Sequence, residues 1–131
     1  MICVLDTSAA IEVAFNSGTA AAYKEILASA DQVIAPHFFI AEVTNVLWKY
    51  VRMGVIDENN AQKTLVLVLQ YVDAYIDCGE NAVEALHEAC RLQHAAYDMF
   101  YFTLARRNNA VLLTKDKKLA ATALKQGVQV L

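Results

Sequence analysis

Two short apolar runs, each followed by an aspartate, constrain the fold of this chain more than any other feature. The run Ile2–Leu5 leads directly into Asp6, and the run 110–113 is followed three residues later by Asp116. Runs without polar alternation are typical of strands buried on both faces, as in a parallel sheet. Ligands of open α/β sheets bind beyond the carboxyl ends of the strands. We therefore expect both aspartates at one edge of a parallel sheet.

Strand-like and helical segments alternate along all 131 residues. Turn and cap signals predict strands at 2–5, 32–35, 73–77, 110–113 and 128–131, and helices at 9–14, 19–30, 37–53, 58–72, 81–94, 97–108 and 117–126. In the helix 81–94 the side chains predicted to face inward are Val83, Leu86, Ala89 and Cys90. The alternation predicts one α/β domain over residues 1–131, with a five-stranded parallel sheet and helices on both faces.

Composition and charge exclude some classes of protein and leave others open. The net charge of −3 removes any argument from overall basicity for nucleic-acid binding. It does not exclude such binding, because an acidic site that takes up cations reverses its local charge. Three widely spaced cysteines are interpreted as free thiols in a reducing cytoplasm. With neither a cationic leader before Ile2 nor a long apolar run, we expect a cytoplasmic protein without membrane association.

Four carboxylates stand out by their positions: Asp6, Glu42, Asp98 and Asp116. Glu42 and Asp98 lie in the first turns of predicted helices, which places them near the sheet edge that receives the other two. Each acid also has a simpler explanation. Asp6 and Asp116 suit helix caps, Glu42 suits a solvated helix face, and Asp98 suits the positive end of a helix dipole.

If the four acids converge, they require cations. Two carboxylates about 4 Å apart repel each other by about 4 kcal/mol at an effective dielectric of about 20. Oxygen ligands without His or Cys suit Mg²⁺ or Mn²⁺ better than zinc. His37, His87 and His94 share no metal-ligand spacing and are interpreted as surface or packing residues. Because Mg²⁺ often completes its shell with phosphate, the expected chemistry is phosphodiester hydrolysis by metal-activated water.

With these residues the chain resembles the PIN-domain nucleases, and within them the small VapC-type toxins. The resemblance covers nearly the whole chain and depends on the order and spacing of four blocks. The first block is residues 4–8, and the second is Glu42 with Asn45, Leu47 and Trp48. The third is Tyr97 and Asp98 with Tyr101, Leu104 and Ala105, and the fourth is residues 113–119.

The resemblance implies a sheet ordered 3-2-1-4-5 and Mg²⁺- or Mn²⁺-dependent cleavage of single-stranded RNA. It makes Asp6, Glu42, Asp98 and Asp116 the catalytic, metal-binding acids. A first metal would be held mainly by Asp6 and Asp98, with a second one left open. Thr7 or Thr114 would supply a hydroxyl that steadies a carboxylate or a water molecule. The resemblance also implies a homodimer, inhibited by a cognate VapB-like antitoxin.

Basic and aromatic residues near the blocks have two interpretations each. The candidates for RNA phosphate contacts are Lys115, Lys117, Lys118, Arg106 and Arg107, which equally suit solvated helix ends. Trp48 suits either the core or the groove that would receive the antitoxin.

Three other functions are alternatives to the nuclease. The same fold could bind RNA or a protein without turnover. A phosphoacceptor domain would need an aspartate after a middle strand, and Asp77 is a poor candidate. A phosphatase of the haloacid dehalogenase type would need a second aspartate two residues after Asp6, where Ser8 stands.

Overall fold

The computed structural model describes residues 1–131 and contains a parallel sheet of four strands. The strands are β1 (Ile2–Leu5), β2 (Gln32–Pro36), β3 (Ala74–Ile76) and β4 (Val111–Leu113). Their order across the sheet is β3-β2-β1-β4. Strand β1 lies between β2 and β4, which explains why Cys3, Val4 and Leu5 are completely buried.

The predicted fifth strand at 128–131 is wrong. A single parallel bridge joins Val130 to Leu112 on the outer side of β4, with three backbone hydrogen bonds of 2.9 to 3.1 Å around it. The amide of Val128 is still bonded to the carbonyl of Ala123 in the last turn of the preceding helix, at 3.0 Å. The hydrogen bonds to β4 begin only at Gln129, and the single bridge that they form is too short to be a strand. The segment nevertheless lies at the edge predicted for a fifth strand.

Seven α-helices and one short 3₁₀ turn connect the strands. The helices are α1 (Thr7–Ala14), α2 (Ala20–Ser29), α3 (Phe39–Arg52), α4 (Glu58–Leu69), α5 (Ala82–Leu92), α6 (Ala96–Arg107) and α7 (Lys117–Lys125), and the 3₁₀ turn is Cys78–Glu80. Helices α1, α3 and α4 pack against one another, and α6 packs against α5, α7 and the central strands. This is the predicted α/β class with a parallel sheet and helices. No helix has both the length and the apolar content needed to cross a bilayer.

The inward face of α5 differs from the predicted one. Val83 and Leu86 are 85% and 62% exposed, and Cys90 is exposed as well. The buried residues of this helix are Ala85 and Glu88, and of the four predicted residues only Ala89 packs, partly buried, against the core. The small side chain of Ala85 suits the close packing of α5 on α6, and one helical turn later Glu88 faces the same way.

Glu88 is buried because two arginines neutralise it. Its carboxylate accepts hydrogen bonds from Arg91 at 2.9 and 2.6 Å and from Arg106 at 3.0 Å. The bonds from Arg91 contribute most to lowering the pKa of Glu88 from 4.5 to about 2. The network connects α5 to the end of α6. It also pairs Arg106, one of the residues predicted to contact RNA phosphates, with a carboxylate of the protein itself.

We expect Glu88→Gln to lower the free energy of unfolding by about 1–3 kcal/mol at pH 7, because a neutral amide cannot accept both arginines. The folded-state pKa lies below the unfolded one, so this stabilisation is present above about pH 5 and is lost towards pH 2. Denaturant titrations at pH 7 and pH 3 should show the difference between mutant and wild type shrinking in acid. A difference of equal size at both pH values would contradict the assignment to charge.

Candidate functional site

The four acids singled out from the sequence line one cavity of about 420 Å³ at the carboxyl edge of the sheet. Asp6 follows β1, and Asp116 follows β4 on the neighbouring strand. Glu42 and Asp98 lie in the first turns of α3 and α6. The remaining lining residues are Thr7, Ser8, Ile11, Glu12, Val46, Tyr50, Tyr101 and Lys115. The parallel pairing of β1 with β4 is what brings residues 6 and 116 to one edge.

Asp6 is the most tightly held of the four. Its Oδ1 accepts hydrogen bonds from the hydroxyl of Ser8 at 2.6 Å and from the amide of Ala9 at 2.9 Å, which makes it the N-cap of α1. Its Oδ2 accepts a hydrogen bond from the hydroxyl of Thr114. The residue is only 5% exposed, and burial raises its pKa from 3.8 to about 6 despite these bonds. The nearby charge of Glu42 also raises this pKa, but it does so less than burial does.

Glu42 is oriented by two hydroxyl groups from other elements. Its Oε1 accepts hydrogen bonds from Tyr101 Oη at 2.6 Å and from Thr7 Oγ1 at 3.1 Å. Tyr101 is 3% exposed, and burial together with the charge of Glu42 raises its pKa well above the ordinary value. The tyrosine therefore stays protonated and serves as a hydrogen-bond donor to the carboxylate.

Asp98 and Asp116 each have one oxygen held by the protein. Asp98 Oδ2 is 2.8 Å from Nε2 of His94. Asp116 Oδ1 accepts a hydrogen bond from the amide of Leu119 at 3.0 Å and caps α7. Asp6 and Asp116 therefore cap helices, as the simpler explanation from the sequence proposed, and both also line the cavity.

Of the five basic candidates, only Lys115 lines the cavity. Its Nζ is 3.3 Å from Glu12 Oε1, and the same oxygen accepts a hydrogen bond from the amide of Thr19 at 3.0 Å. Lys117 and Lys118 are exposed at the start of α7, outside the lining. Arg106 pairs with Glu84 and Glu88, and Arg107 pairs with Glu84. The structure thus does not bring the two arginines to the acids.

The residues fit a hard divalent ion by chemistry. Glu42 Oε2, Asp98 Oδ1 and Asp116 Oδ2 are carboxylate oxygens without a hydrogen bond from the protein, and such oxygens are the preferred ligands of Mg²⁺ and Mn²⁺. As the side chains stand, no group of three or more Asp, Glu, His or Cys residues has the geometry to hold an ion. The acids would therefore have to move closer together to share one.

Several residues of the site had been given no role in it from the sequence. Glu12 lies four residues after Ser8 on α1, a helical spacing that puts both on one face. Tyr101 is one of the residues that carry the resemblance, and its position one turn after Asp98 could have assigned it to the site. His94 was interpreted as a surface or packing residue; it is buried and bonded to Asp98. It precedes α6, so helical periodicity did not point to it.

Comparison with known proteins gives one family and several similar structures. The family model described as PIN domain matches residues 3–125. PAE2754 from Pyrobaculum aerophilum is similar with a TM-score of 0.76 and 26% identity, over 99% of this chain and 83% of that chain. VapBC2 from Rickettsia felis, bound to a DNA fragment from their promoter, has a TM-score of 0.70 and 18% identity, over 100% and 98% of the two chains.

VapBC-1 from nontypeable Haemophilus influenzae has a TM-score of 0.67 and 17% identity, over 100% of this chain and 97% of that chain. At these identities the two VapBC structures establish the fold alone. No curated protein matches the chain.

Proposed function

Because the chain belongs to the PIN domain family, we propose that it is an Mg²⁺- or Mn²⁺-dependent endoribonuclease that cleaves single-stranded RNA. PIN domains are generally nucleases and generally use divalent metals. The observation that carries the proposal is the convergence of Asp6, Glu42, Asp98 and Asp116 on one cavity. The choice of RNA depends on the resemblance to VapC-type toxins.

The roles of the residues follow from their contacts. Glu42, Asp98 and Asp116 would hold the cation through their free oxygens, and Asp6 would supply the buried negative charge behind them. A divalent ion held there would lower the pKa of a water molecule and stabilise negative charge on the phosphate. Tyr101 and Thr7 fix Glu42, while Thr114 and Ser8 fix Asp6, so two of the acids are oriented before substrate arrives.

Lys115 is the one Lys or Arg side chain that lines the cavity. Its side chain is 42% exposed, so it can reach a phosphate at the mouth of the cavity, while Glu12 restrains it there.

In the reaction a water molecule adds to phosphorus, and the bond from phosphorus to the leaving oxygen breaks.

We further propose that the protein is the toxin of a type II toxin–antitoxin pair, working in a reducing cytoplasm. Two similar structures are VapBC complexes, and all three cysteines here are free. Trp48 is 54% exposed and does not belong to the core. It borders a groove of about 240 Å³ between α3 and α4, with Leu47, Val51 and Leu65 in its lining. This groove suits an apolar side chain from the antitoxin.

A homodimer is also part of the proposal. Val83 and Leu86 on α5 leave apolar surface unpaired. Light scattering of the protein without its antitoxin distinguishes a dimer from a monomer.

We expect the purified protein, free of partner, to cleave defined single-stranded RNAs when Mn²⁺ is added and to leave them intact in EDTA. Gel analysis of end-labelled RNA gives the cleavage, and a duplex of the same sequence is the matched control. Binding of RNA without cleavage at saturating Mn²⁺ would favour the catalytically silent binding module instead. Cleavage of equal rate in EDTA would contradict the role given to the metal.

A further inference from the structure

His94 is a buried side chain that the proposed function leaves without a role. It lies in the turn between α5 and α6, and its side chain is only 2% exposed. Gln93 has a left-handed backbone with φ of +51°, and the amides of Gln93 and His94 both bond to the carbonyl of Ala89. This end to α5 is usually made by glycine, and it turns His94 back into the protein.

Two hydrogen bonds fix the imidazole ring. Nε2 lies 2.8 Å from Asp98 Oδ2, and Nδ1 lies 3.3 Å from the hydroxyl of Thr122 on α7. An ionised carboxylate only accepts hydrogen bonds, so Nε2 carries the proton and donates it whether the ring is neutral or charged. In the neutral ring Nδ1 accepts from Thr122. The direction of the bond to Asp98 therefore does not depend on the charge of the ring.

The contact determines which oxygen of Asp98 is available. The side chain of Asp98 is 31% exposed and lines the cavity, and the ring holds its Oδ2. Oδ1 has no hydrogen bond from the protein, so it is the oxygen left for a ligand. Because Thr122 belongs to α7, the helix that Asp116 caps, the ring also connects α7 to α6, which carries Asp98.

We propose that His94 is a positioning residue: its Nε2–H holds Asp98 Oδ2 so that Asp98 presents Oδ1 to a divalent cation. This inference depends on the proposed function, because it takes Asp98 as a metal-binding acid. Hydrogen bonds that orient ligating carboxylates typically change metal affinity tenfold to a hundredfold when they are removed. The same loss is expected here.

Three variants and one direct readout test the role. Mn²⁺ binding is measured by the electron paramagnetic resonance of the free ion. His94→Leu fills the space without a donor and should weaken Mn²⁺ binding by about tenfold to a hundredfold. His94→Gln places an amide N–H near the position of Nε2 and should recover most of that loss. His87→Gln is the matched control, because His87 is 71% exposed and should bind Mn²⁺ like wild type.

The outcomes separate positioning from simple packing. If folded His94→Leu binds Mn²⁺ as tightly as wild type, the proposal is overturned. It is equally overturned if His94→Gln binds as weakly as His94→Leu, because the donor would then be irrelevant. If wild type binds no Mn²⁺ at all, the metal-dependent function itself fails, and the role of His94 fails with it.

A measurement on wild type needs no substitution and covers the case in which His94→Leu does not fold. The ring nitrogens of ¹⁵N-labelled protein are followed by NMR during a titration with Mg²⁺. We expect a protonated Nε2 on His94 whose resonance shifts as Mg²⁺ binds, while the resonances of His87 do not move. An unchanged His94 resonance at Mg²⁺ concentrations that raise the melting temperature would overturn the proposal.

Discussion

Replacing Asp6 with asparagine is expected to abolish RNA cleavage and, in the same protein, to raise the stability of the metal-free state at neutral pH. Asp6 is 5% exposed, and burial raises its pKa from 3.8 to about 6. Keeping the group charged at pH 7 therefore costs about 3 kcal/mol by the pKa difference. Asparagine removes that cost but gives up charge-assisted hydrogen bonds, so we expect a net gain of about 1–3 kcal/mol.

The sign of the pH dependence follows from the raised pKa. The folded state binds a proton at Asp6 more tightly than the unfolded chain does, so the contribution of Asp6 to the stability of wild type falls as the pH rises from about 4 to 7. Asp6→Asn should lack this part of the decline, and its advantage over wild type should disappear near pH 4. Denaturant unfolding in EDTA across this range measures both effects.

Asp57→Asn is the matched control for this prediction. Asp57 caps α4 through a hydrogen bond from Asn60, as Asp6 caps α1, but it is exposed and lies outside the cavity. We expect this control to keep its activity and to show no stability gain that grows with pH. A loss of stability in Asp6→Asn at pH 7 would mean that capping outweighs the cost of the buried charge.

The structure changes the explanation of why the site lowers the stability of the metal-free protein. From the sequence, repulsion among the carboxylates was the expected cause. In the structure, the largest contribution is the burial of Asp6, and the charge of Glu42 contributes less. Burial could not be derived from the sequence, because it depends on Thr114, Ser8 and the surrounding elements closing over one side chain.

The parts that could be predicted were those with local signals. Apolar runs followed by acids predicted the carboxyl edge with Asp6 and Asp116, because parallel strands deliver their ends to one side. The ion-pair partners of buried charged side chains could not be predicted in this way. Nothing in the pattern of α5 indicated that Glu88 would be buried by Arg106, because those residues meet only when α5 packs on α6.

The predicted fifth strand was wrong in its extent. The residues after Gly127 have the composition of a strand, and residues 129–131 share three backbone hydrogen bonds with β4 and Thr114, but they form only one bridge there. Composition reports propensity and does not report how many consecutive residues pair.

We expect Asp98→Asn to weaken metal binding without the gain in metal-free stability that is expected for Asp6→Asn. Asp98 is partly exposed, so we expect little change in metal-free stability, in contrast to Asp6→Asn. The mutant should lose the stabilisation that wild type gains from Mg²⁺, which is about 2.7 kcal/mol at one hundred times the dissociation constant. Losing several kcal/mol of charge stabilisation would also slow RNA cleavage by about a hundredfold to a thousandfold.

Thermal melts in EDTA and in Mg²⁺, together with cleavage of end-labelled RNA, measure these effects. Asp77→Asn is the matched control, since Asp77 follows β3 at the same edge of the sheet but does not line the cavity of the four acids. Its Mg²⁺-induced shift and its cleavage rate should equal those of wild type. Equal Mg²⁺-induced shifts in wild type and Asp98→Asn would show that the ion binds elsewhere, because removing a ligand charge from its site cannot leave its affinity unchanged.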